Sequence, residues 1–203
     1  MAIISSPTSC LKPEICKKTC QSCGLNVFQG PIYEQPKLSN IFWVGLSAVK
    51  FDEDEERLPL SSLTPSGALI HTIEQPFRRK LAFYKTNLAK CAPLTGNKLR
   101  YPLEHEMDKC FPNFQWELKN LKPTTVFLLG KQVASFVLKK LSNHKPLFNE
   151  NFDYSSFEIG GVNFIPIHHP SYILIYKRKD IAQYIENVRT HFSKGAMANQ
   201  PMC

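Results

Sequence analysis

The chain is expected to fold as an α/β protein, a three-layer αβα sandwich around a four-stranded, mostly parallel sheet. Three observations predict this. Short apolar runs suited to buried strands alternate with segments whose apolar residues recur at helical spacing, the pattern that places helices on both faces of a parallel sheet. Glycine or asparagine closes most of the strand-like runs. The 203 residues are 43% hydrophobic, enough for one sizeable core. No apolar run approaches the roughly 20 residues of a membrane span. With no basic, apolar secretory leader at the N-terminus, a soluble cytoplasmic protein is expected.

Residues 1–18 show no periodicity. They read as an N-terminal extension to a single domain over 19–193, followed by a flexible tail over 194–203. The first buried strand is 41–44, ending at Gly45. An acidic run, 52–56, and a Pro/Ser/Thr-rich loop lead to a helix over 67–73. Ser66 or Thr64 caps it, a hydroxyl accepting from the unbonded N–H groups of the first turn. Residues 81–86 read as a second strand, ending at Asn87. Pro102 followed by Glu104 and Glu106 marks a helix start: the first turn does not need the missing proline N–H, and carboxylates favour the positive end of the helix dipole. A further helix over 114–121 is closed by Lys122 and Pro123.

Thr125–Leu129 is the clearest buried strand, and Gly130 ends it. Lys131–Leu141 carries Val133, Ala134, Val137, Leu138 and Leu141 on one helical stripe. Residues 157–159 and 162–165 flank Gly160-Gly161, a hairpin signal. The last helix begins near Asp180 and buries Ile181, Tyr184, Ile185, Val188 and Phe192. In sheets of this kind ligands bind at the carboxyl ends of the strands. Here those ends are Gly45-Leu46-Ser47, Asn87, Gly130 and His168-His169, so polar groups converge on one rim.

Charge and cysteines bound the function. Against 17 Asp and Glu stand 25 Lys and Arg, a net +8 that favours a polyanionic partner. The chain has seven cysteines, an odd number, and a core this large needs no disulfide staples. Cys20, Cys23, Cys91 and Cys110 are the candidate metal ligands. Their spacing alone leaves three readings level: an iron–sulfur cluster, tetrahedral zinc, or four unconnected buried thiols.

In chain order the sequence presents Cys20-x-x-Cys23, a strand ending at Gly45, and Thr86-Asn87-x-x-Lys90-Cys91-x-Pro93. Glu104, Glu106 and Cys110-x-Pro112 follow, then Leu121-Lys122-Pro123, Leu129-Gly130 and His169-Pro170-Ser171. Each piece alone is weak. Together, in this order, they resemble the uracil-DNA glycosylase superfamily, above all its iron–sulfur branches, over nearly the whole chain.

The resemblance implies a DNA glycosylase that removes uracil or a related modified base and leaves an abasic site. It implies a structural 4Fe–4S cluster on the cysteine quartet, with zinc as the alternative, a DNA partner, no membrane, and a monomer. His169 is assigned the hydrogen bond to the base O2 as negative charge grows there, although helix capping is the ordinary use of such a histidine. His168 is its structural neighbour. Asn87 reads the base edge, donating one bond and accepting another. Gly45, Leu46 and Ser47 occupy the water-activating loop, and Leu60 and Ser171 complete the pocket. Tyr172, Ile173 and Leu174 are candidates for an apolar wedge in the vacated stack, with Lys177 and Arg178 on phosphates.

Two departures from the family are visible. One branch has Gly-Glu-Ala-Pro-Gly in the water-activating loop, where this chain has Leu46 in place of the carboxylate. The other branch has Gly-Leu-Ala-Pro-Ala and an Asp in the following loop, where this chain has Ser61 to Thr64 and no acid. The base-stacking aromatic of an Arg-Pro-Phe-like segment is replaced by Leu60, with Phe51 as another platform. Both departures keep open a bulkier modified pyrimidine, such as foreign DNA carries, or a DNA-binding module that has lost its chemistry.

Overall fold

In a computed structural model the described residues are 23–51 and 58–192. The expected extension and tail, the acidic run and Cys20 lie outside them. The strands are β1 (Ile41–Ser47), β2 (Phe83–Ala89), β3 (Leu94–Thr95), β4 (Lys98–Leu99), β5 (Thr125–Leu129), β6 (Phe157–Ile159) and β7 (Val162–Ile167). The helices are α1 (Pro65–Glu74), α2 (Glu104–Leu121), α3 (Lys131–Leu141), α4 (Pro170–Tyr176) and α5 (Ile181–Arg189).

The central sheet has five strands in the order β2-β1-β5-β7-β6, and β3-β4 forms a separate two-stranded hairpin. Four strands of the central sheet are parallel, as expected. The fifth, β6, is an antiparallel edge strand that pairs with β7 across Gly160-Gly161. The predicted count of four differs by this edge strand, although Gly160-Gly161 had marked residues 157–159 and 162–165 as a hairpin.

Alternation along each strand sorts the core into two layers. Ile41, Trp43, Phe127, Leu129, Ile165 and Ile167 face α1, α4 and α5. Phe42, Val44, Val126 and Leu128 face α2 and α3. Both faces of a parallel sheet are thereby covered. Thr64 caps α1, its Oγ1 accepting from Gly67 N at 3.1 Å.

The chain passes from β1 to β2 on one side and then crosses to β5 on the other. The strand order therefore reverses around β1, and the carboxyl ends of β1 and β5 flank a crevice.

Two expectations are corrected here. The predicted pair of helices is one helix, α2, with Pro112 inside it. Cys110, Phe111, Phe114 and Leu121 are buried at helical spacing on both sides of the proline, and Pro112 itself faces solvent. That packing outweighs the roughly 3 kcal/mol cost of an interior proline. Cys110 therefore sits on a helix. Strand β2 also runs past Asn87 to Ala89, because Asn87 is the register partner of Gly45 and Ala89 that of Ser47. Among the described residues, no helix is long and apolar enough to cross a membrane.

Candidate active site

The carboxyl ends of β1, β2 and β5 open with the turn after β7 onto one cavity of about 950 Å³. Gly45, Leu46, Ser47, Leu60, Asn87, His169, Ser171 and Tyr172 all line it. Asn87 and His169, far apart in sequence, therefore share one hollow.

Asn87 is 3% exposed and lies on the α1 face of the sheet, directly beside Gly45. A Cβ at position 45 would collide with Asn87 Oδ1 and come within 3.3 Å of Leu60 Cδ2. Gly45 is the only residue type that lets the amide lie flat over β1. Leu60 reaches this spot from a left-handed backbone (φ 49°), an uncommon state for a leucine and of a kind that clusters at functional sites.

Behind Asn87, the neighbouring side chains on β2 point to the opposite face and enter a buried polar network. Lys90 is fully buried, and its Nζ donates to both carboxylate oxygens of Glu117 at 2.7 and 2.8 Å. Thr86 Oγ1 lies 3.0 Å from both of the same oxygens, and Tyr84 OH donates to Oε1 at 3.2 Å. Lys90 Nζ also donates to Thr86 Oγ1. The network ties the Asn87 segment to the C-terminal half of α2.

His169 is the N-cap of α4, as the ordinary reading of such a residue has it, and lines the cavity as well. Its Nδ1 accepts from Ser171 N at 3.1 Å and lies 2.8 Å from Ser171 Oγ. A backbone N–H can only donate, so Nδ1 carries no proton and the neutral ring holds its hydrogen on Nε2. Burial pushes the imidazole pKa below its ordinary 6.5, which keeps the ring neutral. The result is a neutral N–H donor. Gly130, at φ 86°, closes β5 beneath it, and a Cβ there would touch His169 Cβ at 3.3 Å.

His168 plays the structural part. Its ring stacks on Tyr172 (5.2 Å between centroids, 18° between planes) and meets Phe148 and Phe152 edge-on. The Tyr154 hydroxyl lies 3.0 Å from His168 Nδ1, and burial raises the phenol pKa. Burial, then the charge of Lys177, lowers the His168 pKa. Tyr184 OH, from α5, donates to His168 O at 3.0 Å and pins the turn.

The proposed wedge and phosphate contacts separate. Tyr172 is 38% exposed at the cavity mouth, with Ile175 and Tyr176 exposed further along α4. Ile173 is fully buried in the core and Leu174 packs against it. Ile173 is thereby removed as a wedge, because helical spacing turns it inward. Lys177 pairs with Glu150 at 3.7 Å, and Arg178 Nε turns back to Leu174 O at 2.7 Å. Neither lines the cavity.

Several lining residues went unread in the sequence. Leu99, Arg100 and Tyr101 enter from the β3-β4 hairpin, and Lys131 and Gln132 from the start of α3. The two-residue Gly96-Asn97 link was the signal that could have revealed the hairpin. Phe51 lines the cavity too, its N–H donating to Gln29 Oε1 at 2.9 Å. Among the described lining residues there is no carboxylate.

Of the cysteines, Cys23 packs against a small cluster of Leu25, Ala89 and Cys91, and Cys110 is 1% exposed on α2.

No curated protein matches the chain. The family model of the uracil DNA glycosylase superfamily matches residues 31–192, from before β1 to beyond α5.

Proposed function

The chain belongs to the uracil DNA glycosylase superfamily, and from that premise we propose that it is a DNA glycosylase. It hydrolyses the N-glycosidic bond of uracil, or of a related modified base in DNA, and leaves an abasic site. One observation carries this reading: Asn87 and a neutral His169 face a single hollow.

The nucleotide must first leave the base stack. Bond cleavage then develops an oxocarbenium-like sugar and an anionic base. Asn87 pairs with the base edge, accepting from N3–H and donating to O4. His169 Nε2–H donates to O2, where the leaving electron pair accumulates. A preorganised donor of this kind stabilises the transition state more than the ground state. Ser171 holds the donor tautomer, and Leu60 packs on the base. The backbone of Leu46 and Ser47, which line the cavity, is the proposed support for the attacking water. Tyr172 fills the vacated stack, and the enzyme works as a monomer.

Cys20, Cys23, Cys91 and Cys110 are proposed to hold a structural 4Fe–4S cluster. The gathering of Cys23 and Cys91 in one apolar cluster, with Cys110 also buried, suits thiolates that must ligate iron away from water. Such a cluster ties chain segments together and takes no part in the reaction. Iron and acid-labile sulfide analysis of anaerobically purified protein tests it, and zinc alone would reassign the site.

The cavity favours a second substrate reading. Its size is near the top of the range of about 300–1,000 Å³ for ligand pockets, and a leucine, Leu60, lines it in place of the family's stacking aromatic. A bulkier modified pyrimidine is the alternative base. The deciding experiment offers oligonucleotides bearing uracil, hypoxanthine, xanthine or modified pyrimidines and scores alkali-labile sites. Product is expected with at least one base, and its loss in His169→Ala and Asn87→Ala. DNA binding at low salt with every base intact would replace the enzyme with a DNA-binding module on the same fold.

A further inference from the structure

The β3-β4 hairpin and the residues just after it form one lip of the cavity and have no role in the chemistry above. It carries Leu99, 49% exposed, and Tyr101 just beyond it, 70% exposed, and both line the cavity. An isolated exposed tyrosine needs no explanation. This one is held in place. Both terminal nitrogens of Arg100 bond the Glu106 carboxylate, at 2.8 and 2.6 Å, and Arg100 Nη1 also donates to Tyr101 O at 2.9 Å. Glu106 Oε2 in turn accepts from Leu103 N at 2.7 Å at the start of α2. The segment bearing the ring is thus clamped by a bidentate ion pair whose carboxylate is buried.

Helix α4 brings a second ring to the cavity. Tyr172 is exposed at the mouth and braced by its stack on His168. Two solvent-facing rings border one cavity, with exposed Lys98 on the hairpin and exposed Lys131 also in the cavity lining. Aromatic faces beside cations are the features that hold a nucleic acid strand by stacking and charge.

We propose that Tyr101 is a stacking platform for the base of a nucleotide adjoining the one in the cavity, so that the DNA strand is gripped on both lips. This rests on the glycosylase reading for its ligand, but it is a statement about strand binding and has its own readout. The probe is a single-stranded oligonucleotide with a tetrahydrofuran abasic analogue and 2-aminopurine on its 5′ or 3′ side, which makes binding independent of the base that is excised.

Wild-type protein is expected to quench 2-aminopurine on one side of the abasic position. Tyr101→Ala loses that quenching and binds about tenfold more weakly, within the range of one base–aromatic stack. Tyr101→Phe keeps both. Because the probe carries an abasic analogue, both readouts report strand grip and neither depends on base excision. Quenching and affinity unchanged in Tyr101→Ala, or no binding of the probe by wild type, overturns the proposal. Binding with the expected quenching by a protein that excises no base supports it while removing the glycosylase reading.

Discussion

The two halves of the site are held by different means. Asn87 lies on β2, behind which Lys90, Thr86 and Tyr84 converge on Glu117, a residue of α2 some thirty positions away. His169 is set by a residue two positions along, Ser171, and by the ring of His168 lodged among aromatic neighbours. One half is anchored by buried charge over long range, the other by a local cap and by packing. A residue in the first half that loses its partner leaves a charge stranded in the core. A residue in the second half that is lost leaves the fold and removes the donor.

The comparison is sharpest at Lys90. Lys90→Ala leaves the Glu117 carboxylate buried without its ion-pair partner and is expected to lower stability by about 3–5 kcal/mol, read as the urea midpoint. Lys90→Met combined with Glu117→Gln, which buries no net charge, recovers most of it. Equal midpoints for Lys90→Ala and wild type would show that the network does not anchor β2.

The other half behaves in the opposite way. His169→Ala is expected to cost about 10²–10³ in the rate of base excision, the usual worth of one preorganised donor. It costs only about 1 kcal/mol in stability, the worth of a lost N-cap. A collapse of the fold in this variant would break the contrast.

Gly45→Ala sits between these effects. Its new Cβ meets Asn87 Oδ1, so the amide must move from its place beside β1. Overpacking of about 1–3 kcal/mol is expected, with excision slowed about tenfold at constant excess enzyme. An unchanged rate would mean that the amide position is not critical.

The smallest effect is on pH dependence. His169 has its pKa lowered by burial, below the 6.5 of the unfolded chain. As pH falls through 6.5 the unfolded chain takes up this proton first. The stability linked to the group is therefore full above 6.5 and declines toward the folded value. Excision should be flat from pH 8 to 6.5 and fall only below that. In Ser171→Ala, where the Oγ neighbour of Nδ1 is gone, the fall should begin at a different pH, and superimposable profiles would discount the hydroxyl.

Legibility followed the same division. Thr125–Leu129 and Lys131–Leu141 stand at the bounds their patterns predict, because local periodicity and Gly130 decide them. His169 and Ser171 form one tripeptide motif, and their bond spans two residues. The Lys90–Glu117 pair was not legible: a lysine and a glutamate 27 positions apart are paired only by the packing of α2 on β2. The continuity of α2 through Pro112 was hidden for the same reason, since tertiary burial overrode the local breaker. Tyr101 was missed because two-residue strands such as β3 and β4 leave no periodicity to read. The assignment of Ile173 to the wedge failed through a helical turn that rotates it inward.

The bond from Tyr184 to the backbone of His168, with Phe192 packed beside Trp43 and Phe127, ties the imidazole to a remote part of the core. The turn that presents His169 is fastened by α5, which contributes no residue to the cavity lining. Loosening α5 alone would therefore displace the imidazole while every lining residue kept its identity.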